Sequence, residues 1–143
     1  MEQEKDLLKK VLCEMLPYGV ICNCVDPNFS GSVDWTLYAI NLQDDTIGAT
    51  NGEWNDEFAI ENIKPYLRPI SSMTEDEERE VNGLLSEVYD FTFRMDELLE
   101  LIQMQKEIPF HYIDWLNAHH FDYCGLIPMG SALEAPEGMY KTK

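Results

Sequence analysis

Apolar residues recur at helical spacing near the start of the chain, with charged residues between them. The positions that would share one helix face are Leu7, Leu8, Val11, Leu12 and Met15. Pro17 follows as a helix stop, because proline lacks the amide hydrogen that a helix interior requires. The pattern therefore predicts a first helix over residues 4 to 16.

Short runs with strand character come next, separated by turn signals. The residues that favour strands are mainly Val, Ile, Tyr, Cys and Trp, and the turns are rich in Asp, Asn, Gly and Ser. The predicted strands cover residues 18–25, 34–42, 46–49 and 54–60. Because the intervening turns are short, we expect a small antiparallel sheet of three or four strands.

Helical patterns return in the second half, after a segment framed by Pro65 and Pro69 that cannot be helical. Thr74 and Glu77 match a capping box, in which the two side chains satisfy backbone amides at a helix start. The predicted helices cover residues 74–89, 94–106 and 109–119. From Tyr123 onward, glycine and proline predict turns and loop, while residues 66–73 are left open as an ordered arm or a sheet edge.

These elements predict one α+β domain over residues 1–143. The N-terminal helix would be followed by the small sheet, and two or three helices would pack on one face of that sheet. A chain of 143 residues suits a single core, and a hydrophobic content of 45% is enough to form one.

The net charge of the chain limits the kinds of molecule that it is expected to bind. The chain has 27 acidic and 10 basic side chains, a net charge of -17, which opposes direct binding of nucleic acid. Residues 71–107 hold 11 acidic and 3 basic side chains, so this region is the candidate acidic interaction face. Its candidate residues are Glu75, Asp76, Glu78, Glu80, Glu87, Glu97 and Glu100. A basic protein partner and a purely solubilising role both fit this charge.

The N-terminus and the cysteines indicate the compartment. Charge begins at Glu2, the order typical of a signal peptide is missing, and no apolar run reaches about 18 residues. We therefore expect a cytoplasmic protein that does not enter membranes, and four reduced thiols. Cys22 and Cys24 are separated by one residue, which is too close for a structural zinc knuckle, so we predict no metal and no cofactor.

One cluster has chemical character, and it is formed by His119, His120, Asp122 and Cys124. Imidazole and carboxylate groups serve as metal ligands and as general acids or bases. Adjacent histidines on a helix point about 100 degrees apart, however, so both cannot easily bind one ion. A structural role is therefore the preferred interpretation, and a metal-assisted or cysteine hydrolase is the alternative. We assign no catalytic residue.

Two stretches carry a resemblance to a known family. These are LRPISSMTEDE at 67–77 and WLNAHHFDYCGLIPMGSALEAPEGMY at 115–140, and LPYGV at 16–20 recurs with them. The chain resembles a family of small acidic uncharacterised proteins from Bacteroides-group gut bacteria and their phages and mobile elements. The resemblance implies an intracellular protein of phage or mobile-element origin, and it transfers no functional residue. If the recurring segments pack together, their recurrence reflects a shared core rather than a shared site.

We therefore expect a non-enzymatic protein-protein interaction module that presents an acidic surface to a basic protein. The oligomeric state is not indicated by the sequence.

Overall fold

The structure is a computed structural model that describes residues 2–25, 31–88 and 110–140, with side chains described except at residues 2, 84–88 and 110–112. Its helices are α1 (Glu2–Met15), α2 (Glu75–Val88), α3 (Phe110–Ala118) and α4 (Leu126–Met129). Its strands are β1 (Ile21–Val25), β2 (Ser32–Asn41), β3 (Thr46–Thr50), β4 (Asn55–Ala59), β5 (Ile63–Leu67) and β6 (Leu133–Glu134). The predicted α+β class is confirmed.

The strands form one sheet in the order β4-β3-β2-β1-β5-β6. Neighbouring strands are antiparallel except β5 and β6, which are parallel. The prediction of three or four strands was therefore wrong, since the sheet has six and is mixed. The four strands predicted from the first half of the chain are present as β1 to β4.

Pro65 explains why β5 was missed, because proline within a run argues against a strand. In the structure Pro65 lies opposite Cys22 of β1. Backbone groups of alternate residues point to opposite neighbours, and the amide of Ile21 points to the β5 side, where it donates to the Tyr140 hydroxyl. Cys22 and Pro65 are therefore a pair without ladder bonds, and the nitrogen of Pro65 faces away from β1. β6 begins to pair only at Tyr66, so the missing amide hydrogen costs no ladder bond.

The helix predictions agree with the structure to within two residues where it describes them. α1, α2 and α3 correspond to the predicted helices at 4–16, 74–89 and 109–119. The helix predicted at 94–106 lies outside the described residues. The segment after Tyr123, predicted as loop, contains the four-residue α4 and the two-residue β6. None of the described helices is long and apolar enough to cross a membrane.

The core lies between the helices and one face of the sheet. Its members from the helices include Leu12 of α1, Val81 of α2 and Leu116 of α3, and all three are fully buried. They pack with sheet residues that share one face, among them Cys22, Leu37 and Ile47. Burial of this apolar surface is the main force that holds the helices on the sheet.

The opposite face of the sheet is distinguished by a bulge in β2. Leu37 pairs with Ala49, but Ala39 pairs with Gly48, so Tyr38 is an extra residue in the ladder. Strict alternation would place Ile40 on the face of Tyr38. Because of the bulge, Ile40 lies opposite Ile47 and packs against the core instead.

Candidate functional site

The sequence-predicted cluster lies at the end of α3 and in the loop that follows. His119 is half-buried, and its Nδ1–H donates to the carbonyl oxygen of Trp115 at 2.9 Å. Its ring stacks on the indole of Trp115 with centroids 4.0 Å apart. This histidine therefore folds back on its own helix.

His120 ends the helix in a left-handed conformation, with φ of 62 degrees. Its Nε2–H donates to the carbonyl oxygen of Tyr18 at 2.8 Å, and its ring stacks on Tyr140 at 3.8 Å. Burial lowers the pKa of His120, and this outweighs the hydrogen bond to Tyr18, which acts in the opposite direction. The side chain is thus a neutral, buried bridge between the chain before β1 and the C-terminal loop.

Asp122 has a structural role, and the surroundings of Cys124 are unfavourable for catalysis. The two carboxylate oxygens of Asp122 accept the backbone amides of Leu126 and Ile127 at 2.8 and 2.9 Å, which caps α4. Burial and the nearby carboxylate of Glu14 raise the pKa of Cys124 to about 11. A thiol with that pKa is protonated at neutral pH and is a poor nucleophile.

The four residues are neighbours in the chain, but they do not form a shared site. His119 and His120 contact different groups, and Asp122 is committed to backbone amides. Within the described ranges, no group of three or more His, Cys, Asp or Glu side chains is arranged to hold a metal ion. All four cysteines are free thiols.

A stronger constellation lies next to this cluster, and we call it the junction. It consists of Arg68 after β5, Glu77 on α2, and His120 and Phe121 after α3. The guanidinium of Arg68 binds the carboxylate of Glu77 through two parallel hydrogen bonds of 2.7 and 2.6 Å. The same guanidinium lies 4.2 Å from the ring centroid of Phe121.

Backbone hydrogen bonds complete the junction. The amide of Arg68 donates to the carbonyl of His120 at 2.7 Å, and the amide of Asp122 donates to the carbonyl of Arg68 at 2.8 Å. Arg68 and Phe121 thus form an isolated parallel bridge. The stretches at 67–77 and 115–140 therefore pack against each other.

Glu77 has two functions in the junction. Its carboxylate accepts the backbone amide of Thr74 at 3.0 Å, and Thr74 Oγ1 accepts the amide of Glu77 at 3.2 Å. This is the predicted capping box. Burial alone would raise the pKa of Glu77, but the bonds from Arg68 and Thr74 outweigh it and lower the pKa to about 2.

Tyr140 connects the C-terminal loop to the middle of the sheet. Its hydroxyl accepts the amide of Ile21 at 2.8 Å and donates to the carbonyl of Tyr66 at 2.8 Å. Ile21 and Tyr66 are the next pair in the register between β1 and β5, so the hydroxyl takes the place of a direct ladder bond. Burial raises the pKa of Tyr140, which therefore stays protonated.

A cleft of about 690 Å³ lies beside the junction, between the segment after β5 and the C-terminal loop. Its polar lining includes Arg68, Ser72, Glu137 and Tyr140. Arg68 is committed to Glu77, and the hydroxyl of Ser72 donates to the carbonyl of Pro69 at 2.6 Å. Two of these polar groups are thus already bound within the fold.

The candidate acidic face is present on α2 as far as the structure describes it. Glu75, Asp76, Glu78 and Glu80 are exposed, whereas Glu77 points inward to Arg68. Arg79 forms an exposed ion pair with Asp76. The side chain of Glu87 is not described, and Glu97 and Glu100 lie outside the described residues.

Sequence reasoning did not single out Arg68 or Tyr140, because a single basic residue and a C-terminal tyrosine carry no spacing signal. Glu77 was recognised only as a capping residue, since nothing in the sequence distinguishes it from its acidic neighbours. Comparisons with protein-family models, with curated proteins and with solved structures gave no match. The resemblance to the Bacteroides-group family therefore stays a prediction.

Proposed function

We propose that the protein is a non-enzymatic interaction module, of phage or mobile-element origin, that binds a basic protein through the exposed acidic face of α2. One observation carries the proposal. Four acidic side chains of α2 point to solvent, and the single basic side chain among them, Arg79, is paired with Asp76. Glu75, Glu78 and Glu80 take part in none of the ion pairs among the described residues, so their charges are available to a partner. The net charge of -17 would attract a basic partner over long range.

The alternative of a hydrolase is not supported by any contact. Such an enzyme would need Cys124 as a thiolate, or His119 and His120 with their ring nitrogens directed to one ion. The thiol of Cys124 is protonated, and each histidine donates to a different carbonyl oxygen. We therefore do not propose it.

The test removes the charges of α2 without changing its shape. The variant carries Glu75→Gln, Asp76→Asn, Glu78→Gln and Glu80→Gln, and it leaves Glu77 in place because that side chain holds the junction. A control variant loses four exposed charges elsewhere, through Glu53→Gln, Glu61→Gln, Glu134→Gln and Glu137→Gln. The two variants have the same net charge and differ only in where the acidic side chains are removed.

Each protein is used to capture partners from lysate at about 50 mM and about 300 mM salt. We expect wild type and the control to retain a basic protein at low salt, and the α2 variant to lose it. Retention of the same protein by the α2 variant would overturn the proposal. Retention that is insensitive to salt would also overturn it, because exposed charge pairs are strongly screened.

A further inference from the structure

The sheet face opposite the helices carries exposed side chains of β2 and β4, and we call this face of β2, β3 and β4 the open face. The described helices pack on the other face, which carries Leu37 and Ile47. On the open face Tyr38 and Glu57 are exposed, and Tyr38 is 49% accessible. Exposed tyrosines are common on sheets, but the ring of Tyr38 is also held in place by the backbone beneath it.

Tyr38 is positioned by two features of the backbone. The bulge in β2 makes it an extra residue opposite Gly48, and its ring lies directly on that glycine. A Cβ atom at residue 48 would come within 2.9 Å of the Tyr38 Cζ atom, so the ring would have to move if residue 48 were not glycine. One side of the Tyr38 ring packs on Gly48. The other side faces solvent.

Glu57 is the cross-strand neighbour of this ring. It lies directly opposite Gly48 in the register of β3 and β4, on the same face of the sheet. Directly opposed positions lie about 5 Å apart, so the side chain of Glu57 leaves the sheet next to the glycine on which the Tyr38 ring lies. The open face thus combines an aromatic surface with an adjacent negative charge.

The junction contains the same combination with a cation in place. There Arg68 lies over the ring of Phe121 and is bound by the carboxylate of Glu77. On the open face, none of the ion pairs that the described residues form involves Glu57. An aromatic face attracts a cation, and a planar guanidinium suits both the ring and the carboxylate.

We propose that the open face binds an arginine or lysine side chain of a basic protein segment, with the side chain over the exposed side of Tyr38 and its charge paired with Glu57. Charge complementarity supports this occupant, since the chain has a net charge of -17. The inference rests on the proposed function for the basic character of the partner, but it names a different contact surface from α2.

The test uses a hexa-arginine peptide as the probe, titrated against the full chain by calorimetry at about 50 mM salt. Tyr38→Leu removes the ring, and Gly48→Ala displaces it. Both are expected to weaken binding about two- to fivefold, the range for an exposed cation over an aromatic ring. The matched control is Trp54→Leu, which removes another exposed aromatic ring, 69% accessible, from the turn before β4.

Glu57→Gln gives a second measurement that does not depend on packing. Its control is Glu53→Gln, which removes another exposed charge, from the turn before β4. We expect Glu57→Gln to weaken binding more than Glu53→Gln, and thermal unfolding of each variant separates loss of the site from loss of the fold. Equal effects of Glu57→Gln and Glu53→Gln, or of Tyr38→Leu and Trp54→Leu, would overturn the inference.

The α2 variant described above separates the two proposals. If it loses the peptide while Tyr38→Leu and Glu57→Gln keep it, the acidic face of α2 stands and this inference fails. If the α2 variant keeps the peptide while Tyr38→Leu weakens it, the open face stands and α2 is not the contact. If wild type does not bind the peptide, this inference is overturned, whereas the proposed function is decided by the capture experiment with the α2 variant.

Discussion

The junction around Arg68 and the open face around Tyr38 contain the same kinds of side chain in different surroundings. In the junction the aromatic ring, the carboxylate and the guanidinium all come from this chain, and the side chains of Arg68 and Glu77 are only 13% and 6% exposed. On the open face a ring and a carboxylate lie in solvent. The comparison teaches that burial, rather than residue type, decides whether such a group stabilises the fold or is available for binding.

The largest expected effect comes from removing the cation of the junction. Arg68→Ala would leave Glu77 buried and unpaired, and the loss of a buried partner costs about 3–5 kcal/mol. We expect the free energy of unfolding to fall by that amount in urea denaturation. The control is Arg79→Ala, because Arg79 pairs with Asp76 at the surface, where both side chains are at least 75% exposed. That change should cost less than about 1 kcal/mol.

Acid should reveal the same pair in the unmodified protein. The folded pKa of Glu77 is about 2, below its ordinary value of 4.5, so its contribution is complete above that ordinary value. This contribution is lost as the pH falls from about 4.5 toward about 2, because the unfolded chain then binds a proton at Glu77 more readily than the folded chain does. We expect the stability difference between wild type and Glu77→Gln to shrink across this window. A difference that is constant with pH would contradict the assignment.

Tyr140→Phe tests the hydroxyl between β1 and β5. Its removal leaves the amide of Ile21 and the carbonyl of Tyr66 without their partner, which costs about 1–3 kcal/mol for buried groups. Tyr38→Phe is the matched control, since that hydroxyl belongs to an exposed side chain. We expect denaturation midpoints to fall for Tyr140→Phe only. Equal midpoints in the two variants would show that the hydroxyl does not support the ladder.

His120 should add a smaller dependence at higher pH. Burial lowers its folded pKa below the ordinary value of 6.5, so the unfolded chain binds a proton more readily. Stability is therefore complete above about pH 6.5 and falls as the pH drops below it. His120→Asn removes the titrating group while tolerating the left-handed conformation. The loss of stability between about pH 7.5 and about pH 5 should be smaller in this variant than in wild type.

The smallest effect on stability is expected at the open face. Tyr38→Leu and Glu57→Gln change exposed side chains, and each should shift the free energy of unfolding by less than about 1 kcal/mol. The same changes are the ones expected to alter peptide binding. A large loss of stability in Glu57→Gln would show that the open face is structural, as the junction is.

Local patterns in the sequence predicted most of the fold. The helical stripe of α1, the alternating strands β1 to β4 and the Thr74–Glu77 capping box depend on near neighbours, so each leaves a readable signal. β5 was missed because a proline usually argues against a strand. Pro65 is tolerated because no neighbouring strand needs a hydrogen bond from its nitrogen, which the sequence alone does not reveal. β6 has two residues, which is too short for any periodicity to appear.

The site was less predictable for the same reason. His119, His120, Asp122 and Cys124 were selected by residue type. The contacts of His120 depend on Tyr18 and Tyr140, which only the fold brings near. The open face was obscured by the bulge, because alternation alone groups Tyr38 with Ile40. Which of the acidic side chains is buried is likewise set by Arg68, nine residues before Glu77.

The hydroxyl of Tyr140 between Ile21 and Tyr66 also sets an order of assembly during synthesis. Ile21 and Tyr66 leave the ribosome early, but the residue that joins them is separated from Ile21 by 119 positions. Until Tyr140 emerges, the hydroxyl that joins the amide of Ile21 to the carbonyl of Tyr66 is absent. The helices and the hairpins of β1 to β4 can form while the chain is growing, whereas this central rung is completed only after translation has passed the C-terminal loop.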